Sequence, residues 1–287
     1  MRELVIDYGV PLGLFALMTI VGTELTLNDL KRAVTQPRAV ALGIANQLLV
    51  LPPLVLLIAG LTGLTPFLTA SLLLLSLCPG GAISNTYSYL ARCNVSLAAA
   101  ITTAGTLCAL ISIPVWLAVV ARWTPLGHEI VSVPTLRILL QLLLLMVLPL
   151  ALGAAARRRW PDPVSQMSNR LRWASLAIVL AILLAATWSV RDDLYALAGR
   201  IALSATLFIL GAMLLGRLLS IGLPPKDAPV LVIESAVRNV GIAAIIGRIL
   251  FSDTDFATFS GFLTGYFIIE VLIMVAYAQA LRSRTLA

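Results

Sequence analysis

Residues 76–87 read Ser76-Leu77-Cys78-Pro79-Gly80-Gly81-Ala82-Ile83-Ser84-Asn85-Thr86-Tyr87, in the middle of an apolar run extending from about 66 to 91. Proline removes a backbone donor and clashes with the preceding turn, and glycine raises the cost of holding helical dihedrals. A helix over this run is therefore expected to unwind at Pro79-Gly80-Gly81. Backbone freed within lipid finds no water, so it must pair inside protein or line a cavity. A plain proline kink with glycines for close packing accounts for Pro79 and Gly81, but not for Ser84, Asn85 and Thr86 together. The stretch reads as a broken membrane helix ending on a polar junction.

The rest of the chain has the composition such a helix requires. Of 287 residues, 60% are hydrophobic and 11% charged, with a mean hydropathy of +1.01. Soluble domains are about half apolar and about a quarter charged, which excludes a soluble enzyme, a nucleic-acid-binding module and a disordered chain. The partner implied is the lipid bilayer, not nucleic acid. A crossing helix needs about 20 apolar residues for the roughly 30 Å hydrocarbon layer. Nine stretches qualify, at about 5–24, 38–60, 66–91, 94–120, 134–156, 168–189, 196–220, 227–250 and 257–281. They leave only short loops, so the fold class is an all-α polytopic membrane protein with one transmembrane domain over 1–287.

The net charge of +7 is topological. Thirteen lysines and arginines, led by Arg157-Arg158-Arg159, fall on one side of the nine spans and six on the other, with Arg238 inside a span. The richer side is expected to be cytoplasmic, giving an outside N-terminus, an inside C-terminus and residence in the plasma (inner) membrane. The first stretch has Arg2 ahead of an apolar segment but no small-x-small cleavage site before Glu24, and is read as a retained helix and not a signal peptide. Three cysteines and one histidine, His128, offer little for disulfides or zinc.

The eighth stretch is the other anomaly: Val232-Ile233-Glu234-Ser235-Ala236-Val237-Arg238-Asn239 carries an acid, a base and an amide. Charged groups at bilayer depth are costly, and most face a cavity or one another. Glu234 and Arg238 are four apart, a spacing that permits an ion pair along one helical face. Such a pair serving only to fasten helices is the competing reading. Against it stands symmetry. The broken third span and the polar eighth span are each followed by one last helix, as two inverted repeats give when the leading one lacks its first helix. The repeats are placed at 1–120 (four helices) and 134–287 (five helices).

At these residues the sequence resembles the bile acid:sodium symporter family. Cys78-Pro79-Gly80-Gly81 with Ser84-Asn85, then Tyr89-Leu90-Ala91-Arg92-Cys93-Asn94-Val95, is similar to that family's CPGG-x-x-SN and YLARGN signatures. Glu234 to Asn239 resembles its E-x-G-x-Q-N motif, Gly22 to Leu27 its GLELT segment, and Gln47 stands ahead of Pro52-Pro53. The resemblance implies an inverted-repeat transporter with two broken crossing helices, core helices at 38–120 and 196–281, and panel helices at 5–24 and 134–189. The core slides against the panel and carries an organic anion, bile acid-like or a small carboxylate, with Na+. It implies a first sodium site at Ser84, Asn85, Thr102 and Glu234, and a second at Gln47, Glu234 and the carbonyl of Val237. Asn85 and Asn239 correspond to groups near bound substrate, and Ala82, Ser84 and Arg238 complete the expected substrate-binding set.

Two departures bear on function. Ala98 stands where the family has a serine ligand, with Ser96 or Thr103 as the nearest replacements, and Arg238 stands where it has the glutamine of the second sodium site. A guanidinium has five donors, no acceptor and a permanent charge, so it cannot ligate sodium and repels one placed beside it. Arg238 is accordingly read as a fixed charge replacing the second sodium, leaving one coupled Na+ or none. Glu270 matches no family ligand and is read as a pairing or interfacial group in preference to a proton carrier, Cys78 as a packed thiol, and Glu24 as a capping or hinge residue. The rivals are an arsenite-type or proton-coupled anion efflux permease and, from another class, a non-transporting membrane sensor. An intramembrane enzyme is not expected, since no G-x-S-x-G, H-E-x-x-H or paired aspartates occur in the spans.

Overall fold

A computed structural model describes residues 10–24, 26, 31, 34–123, 140, 143–188 and 190–284. His128 and the start of the fifth expected span lie outside them. The helices are α1 (Val10–Glu24), α2 (Pro37–Ala45), α3 (Leu51–Thr62), α4 (Pro66–Leu77), α5 (Ala82–Leu90), α6 (Val95–Trp123), α7 (Leu148–Arg159), α8 (Pro161–Trp188), α9 (Arg191–Leu219), α10 (Ala228–Ala236), α11 (Val240–Leu250) and α12 (Asp253–Arg284). Single π-type turns at Asn46–Val50 and Leu143–Val147 lead into α3 and α7. The protein is an all-α polytopic membrane protein. Five described stretches are long and apolar enough to cross a bilayer (37–62, 95–119, 194–219, 228–250, 253–283), and shorter apolar helices lie at 12–24, 66–77 and 176–188.

Prolines and glycines set the boundaries. Pro37, Pro52, Pro66 and Pro149 stand in the first turns of their helices, where a missing amide hydrogen is no loss. Gly63 closes α3 in the left-handed region (φ 61°), and two residues later the Thr65 hydroxyl accepts from Leu68 N at 3.3 Å to begin α4. This glycine-threonine-proline turn folds α3 back as a helical hairpin.

The chain forms two compact units. One comprises 1–26, 120–196 and 240–264. In it α1 and α7 approach through Gly22 and Gly153, where a Cβ would overlap the backbone of Leu150 and Thr19 respectively. Small residues allow this close approach, which dispersion and packing reward when lipid offers no hydrophobic difference.

The other unit comprises 27–119, 197–239 and 265–287, and holds every residue expected at the functional site. Its core joins segments far apart in sequence. Val40 of α2, Leu97 and Ile101 of α6 and Val230 and Leu231 of α10 form one buried cluster. Asn94 secures one end: its amide donates to Lys226 O (3.1 Å), its side-chain amide to Asp227 Oδ1 (2.8 Å), and its Oδ1 accepts from Leu97 N (3.1 Å). One side chain thus begins α6 and ties it to the start of α10.

Candidate functional site at the crossing of two unwound segments

The first break, Cys78–Gly81, is extended, with ψ 143° at Cys78 and 161° at Gly81. The second, Val237–Asn239, begins with ψ 122° at Val237. It unwinds without proline or glycine in the break itself. The compensation is a hydrogen bond between the breaks: Asn239 N donates to Pro79 O at 2.9 Å. A Cβ on Gly81 would stand 3.5 Å from Asn239 Cα, an ordinary contact, so the two segments run beside one another there. Each break thereby satisfies part of what the other exposes.

Glu234, at the C-terminal end of α10, is fully buried. Its Oε1 accepts from Ser84 Oγ (2.5 Å) and Thr102 Oγ1 (3.0 Å), and its Oε2 lies 3.1 Å from the same threonine. Gly80 makes room for it, since a Cβ there would overlap Oε2. Gln47, in the π-type turn before α3, donates through Nε2 to Glu234 O at 3.3 Å, and Gly105 leaves space for its Oε1. Three buried amide oxygens here accept nothing: Asn46 Oδ1, Gln47 Oε1 and Asn85 Oδ1. A buried acceptor without a donor is costly, and a hard cation satisfies such oxygens.

Arg238 is 1% exposed. It does not pair with the Glu234 carboxylate along a helical face, because α10 ends at Ala236 and the carboxylate is held by α5 and α6. Its Nη1 donates to Cys78 O at 3.1 Å and its Nη2 to Glu234 O. Cys78 O closes α4 and Glu234 O lies in the last turn of α10, so both belong to the negative ends of half-helices.

Ser84, Thr102 and Glu234 therefore meet directly, and Gln47 joins them through the Glu234 backbone. Val237 and Asn239 lie in the second break, Asn85 is one residue beyond Ser84, and Ala82 opens α5. Ala98 is buried where α6 has no hydroxyl to offer. Sequence reasoning missed the Cys78 carbonyl as an Arg238 acceptor. It also missed the bond from Asn46 Nδ2 to Ser235 Oγ (2.5 Å) and that from the Tyr266 hydroxyl to Ala236 O (2.5 Å). The signal for the first of these was present, since Asn46 and Ser235 each adjoin a site residue. Cys93, in the turn before α6, has its thiol pushed up to about 11 by burial, which keeps it a neutral, poor nucleophile.

A profile of the Sodium Bile acid symporter family matches residues 11–197. The chain belongs to this family. Within it, the chain is 28% identical over 237 residues to a probable sodium/metabolite cotransporter, BASS1, of Arabidopsis thaliana chloroplasts, covering 82% of this chain and 57% of that one. It is 26% identical over 238 residues to the uncharacterized sodium-dependent transporter YocS of Bacillus subtilis, covering 80% and 71%. It is 22% identical over 247 residues to the ileal sodium/bile acid cotransporter of Oryctolagus cuniculus, covering 83% and 68%. The chain spans about half the length of the plant relatives it matches, 57% of the Arabidopsis protein and 40% of a rice one. This symporter-family chain thus carries the polar crossing on a helical membrane scaffold, with arginine at 238.

Proposed function

We propose that this protein is a secondary transporter of an organic anion, bile acid-like or a small carboxylate, working by alternating access with one coupled sodium ion. In this reading Glu234, Ser84, Thr102 and Asn85 hold the sodium through oxygen atoms. Asn85 and Asn239, with Ala82, Ser84 and Arg238, face the anion. Gln47, Glu234 and Val237, which would form a second sodium site, instead surround a position served by the Arg238 guanidinium. The observation that carries the reading is the pair of acceptors Arg238 takes: the Cys78 and Glu234 carbonyls are the kind of half-helix end that coordinates a cation in broken-helix transporters. A permanent cation bound there substitutes for a diffusible one.

Charge supports the same assignment. One carboxylate with two sodium ions leaves one net positive charge, and so does Glu234 with Arg238 and a single sodium. The anion meets a similar field in both. Both unwound segments lie within one compact unit. The arginine-rich side faces the cytoplasm of the plasma membrane, with the C-terminus inside and the N-terminus outside.

The test is cholate uptake into proteoliposomes as a function of sodium. Uptake is expected to rise with sodium with a Hill slope near one, and Arg238→Gln is expected to steepen it. A slope clearly above one in the unaltered protein overturns the single-sodium assignment. Cholate and small carboxylates that bind without exchanging across the membrane overturn transport in favour of a receptor.

A further inference from the structure

Glu234 and Glu270 are both 0% exposed, yet only Glu234 has donors. Among the described residues, neither Glu270 oxygen has a partner within hydrogen-bonding geometry, and the same is true of the Tyr87 hydroxyl and of Arg238 Nε. These orphans belong together. The Tyr87 hydroxyl and the Glu270 carboxylate are neighbours that interact with one another, and Arg238 and Glu270 interact electrostatically. Tyr87 comes from α5, Arg238 from the second break and Glu270 from α12. Tyr266, one turn before Glu270 on α12, also feels its charge while its hydroxyl is committed to Ala236 O. Among the described residues, these are the titratable and charged groups that act on Glu270.

A buried carboxylate with no donors is costly if ionised. It can be neutralised by a bound proton or balanced by a neighbouring cation, and this site offers both. As an acid, Glu270 can donate to the Tyr87 oxygen. As a carboxylate, it can accept from the Tyr87 hydroxyl with Arg238 as counter-charge. A second sodium is disfavoured, because one carboxylate and one phenol oxygen are few ligands and the fixed guanidinium repels it.

We propose that Glu270 is a proton-binding site whose occupancy governs anion binding at the crossing. The coupling to anion movement rests on the transporter reading above. With Glu270 ionised, the net positive charge left by Glu234, Arg238 and one sodium is cancelled. With Glu270 protonated, it is restored. The anion therefore binds the protonated form better, and by reciprocity a bound anion strengthens proton binding. A Glu270 oxygen takes one proton from water on the loading side and returns it on the releasing side, and no bond of the anion changes. The cycle is a symport of anion, sodium and proton.

Two measurements on the purified full chain in liposomes test the proposal. The first is a pH-difference infrared spectrum without ligand, in which a protonated-carboxyl band that titrates is expected in the unaltered protein and absent from Glu270→Gln. The second is cholate uptake at fixed sodium and varied external pH. Uptake is expected to rise on acidification by up to about tenfold per pH unit, the limit for one linked proton. It should become flat in Glu270→Gln, which mimics the protonated state, and recover its slope in Glu270→Asp. Should Glu270→Gln not fold, Tyr87→Phe is expected to displace the midpoint of the infrared band. A band that persists in Glu270→Gln or is unmoved by Tyr87→Phe, or a pH dependence intact in Glu270→Gln, overturns the proposal. Absence of cholate uptake from every variant counts against the transporter reading, and the infrared band then decides the proton site alone.

Discussion

Glu234 and Glu270 are two carboxylates buried to the same degree in one compact unit and furnished in opposite ways. Glu234 receives hydroxyls from α5 and α6, has a glycine cleared for it at position 80, and offers its backbone carbonyl to Gln47 and Arg238. Glu270 receives nothing within hydrogen-bonding geometry and faces a phenol and a guanidinium edge that are themselves unsatisfied. Burial therefore does not define a role. A carboxylate surrounded by fixed donors and spare amide oxygens is organised to stay charged and hold a cation. One left without donors is organised to change its charge.

The most severe way to break this contrast is Glu234→Ala. It removes the acceptor of Ser84 and Thr102 and one of the two carboxylate charges that act on the buried Arg238. Leaving a buried ion without its partner costs about 3–5 kcal/mol, so a large fall in Tm and loss of cholate uptake are expected. A stable protein with unchanged uptake would show that this carboxylate is not the centre of the site. Gly80→Ala is next. Its Cβ overlaps Glu234 Oε2, and crowding of this kind costs about 1–3 kcal/mol. Gly81→Ala, whose Cβ meets only ordinary contacts at a φ of −96°, should stay within about 0.5 kcal/mol. Thermal unfolding of the two alanine variants in detergent gives the comparison, and equal losses would contradict the fit around Glu234.

Arg238→Gln sharpens the contrast electrostatically: it removes the fixed cation and supplies an acceptor, so the sodium Hill slope should move from near one towards two, and Tm should fall because the buried Cys78 and Glu234 carbonyls lose their donor. The smallest effect is expected from Asn94→Ala. It removes the cap of α6 and the bond to Asp227, at a cost of about 1 kcal/mol, and it lies away from both carboxylates. Tm should fall slightly and the sodium slope should not move. A change in slope would mean that the end of α6 communicates with the crossing.

The break at Pro79-Gly80-Gly81 was legible in the sequence because its cause is local: a proline ring and two residues without side chains disfavour a helix wherever they occur. The second break was legible only indirectly, from the cost of Glu234 and Arg238 in an apolar run and the symmetry of their position. Val237-Arg238-Asn239 has no local breaker. It is extended because Asn239 N finds Pro79 O, an acceptor 160 residues away in the chain. The same distance separates Arg238 from Cys78 O, and for that reason helical spacing suggested an ion pair with Glu234 that the structure replaces with two carbonyls. Glu270 was read from the sequence as a pairing or interfacial group because it matches no family ligand and its neighbours are apolar, and its missing donors are visible only once α5 and the second break lie against α12.

The sequence alone determined an all-helical membrane protein, most of its helix boundaries, one unwound segment and the family it belongs to, because hydropathy, proline and glycine act through bonds and neighbours a few residues apart. Only the tertiary structure decided which oxygens receive Arg238, what holds Glu234 and that Glu270 stands without donors. Hydrogen bonding and charge compensation in a medium without water depend on which distant segment arrives within about 3 Å, and no local pattern encodes that.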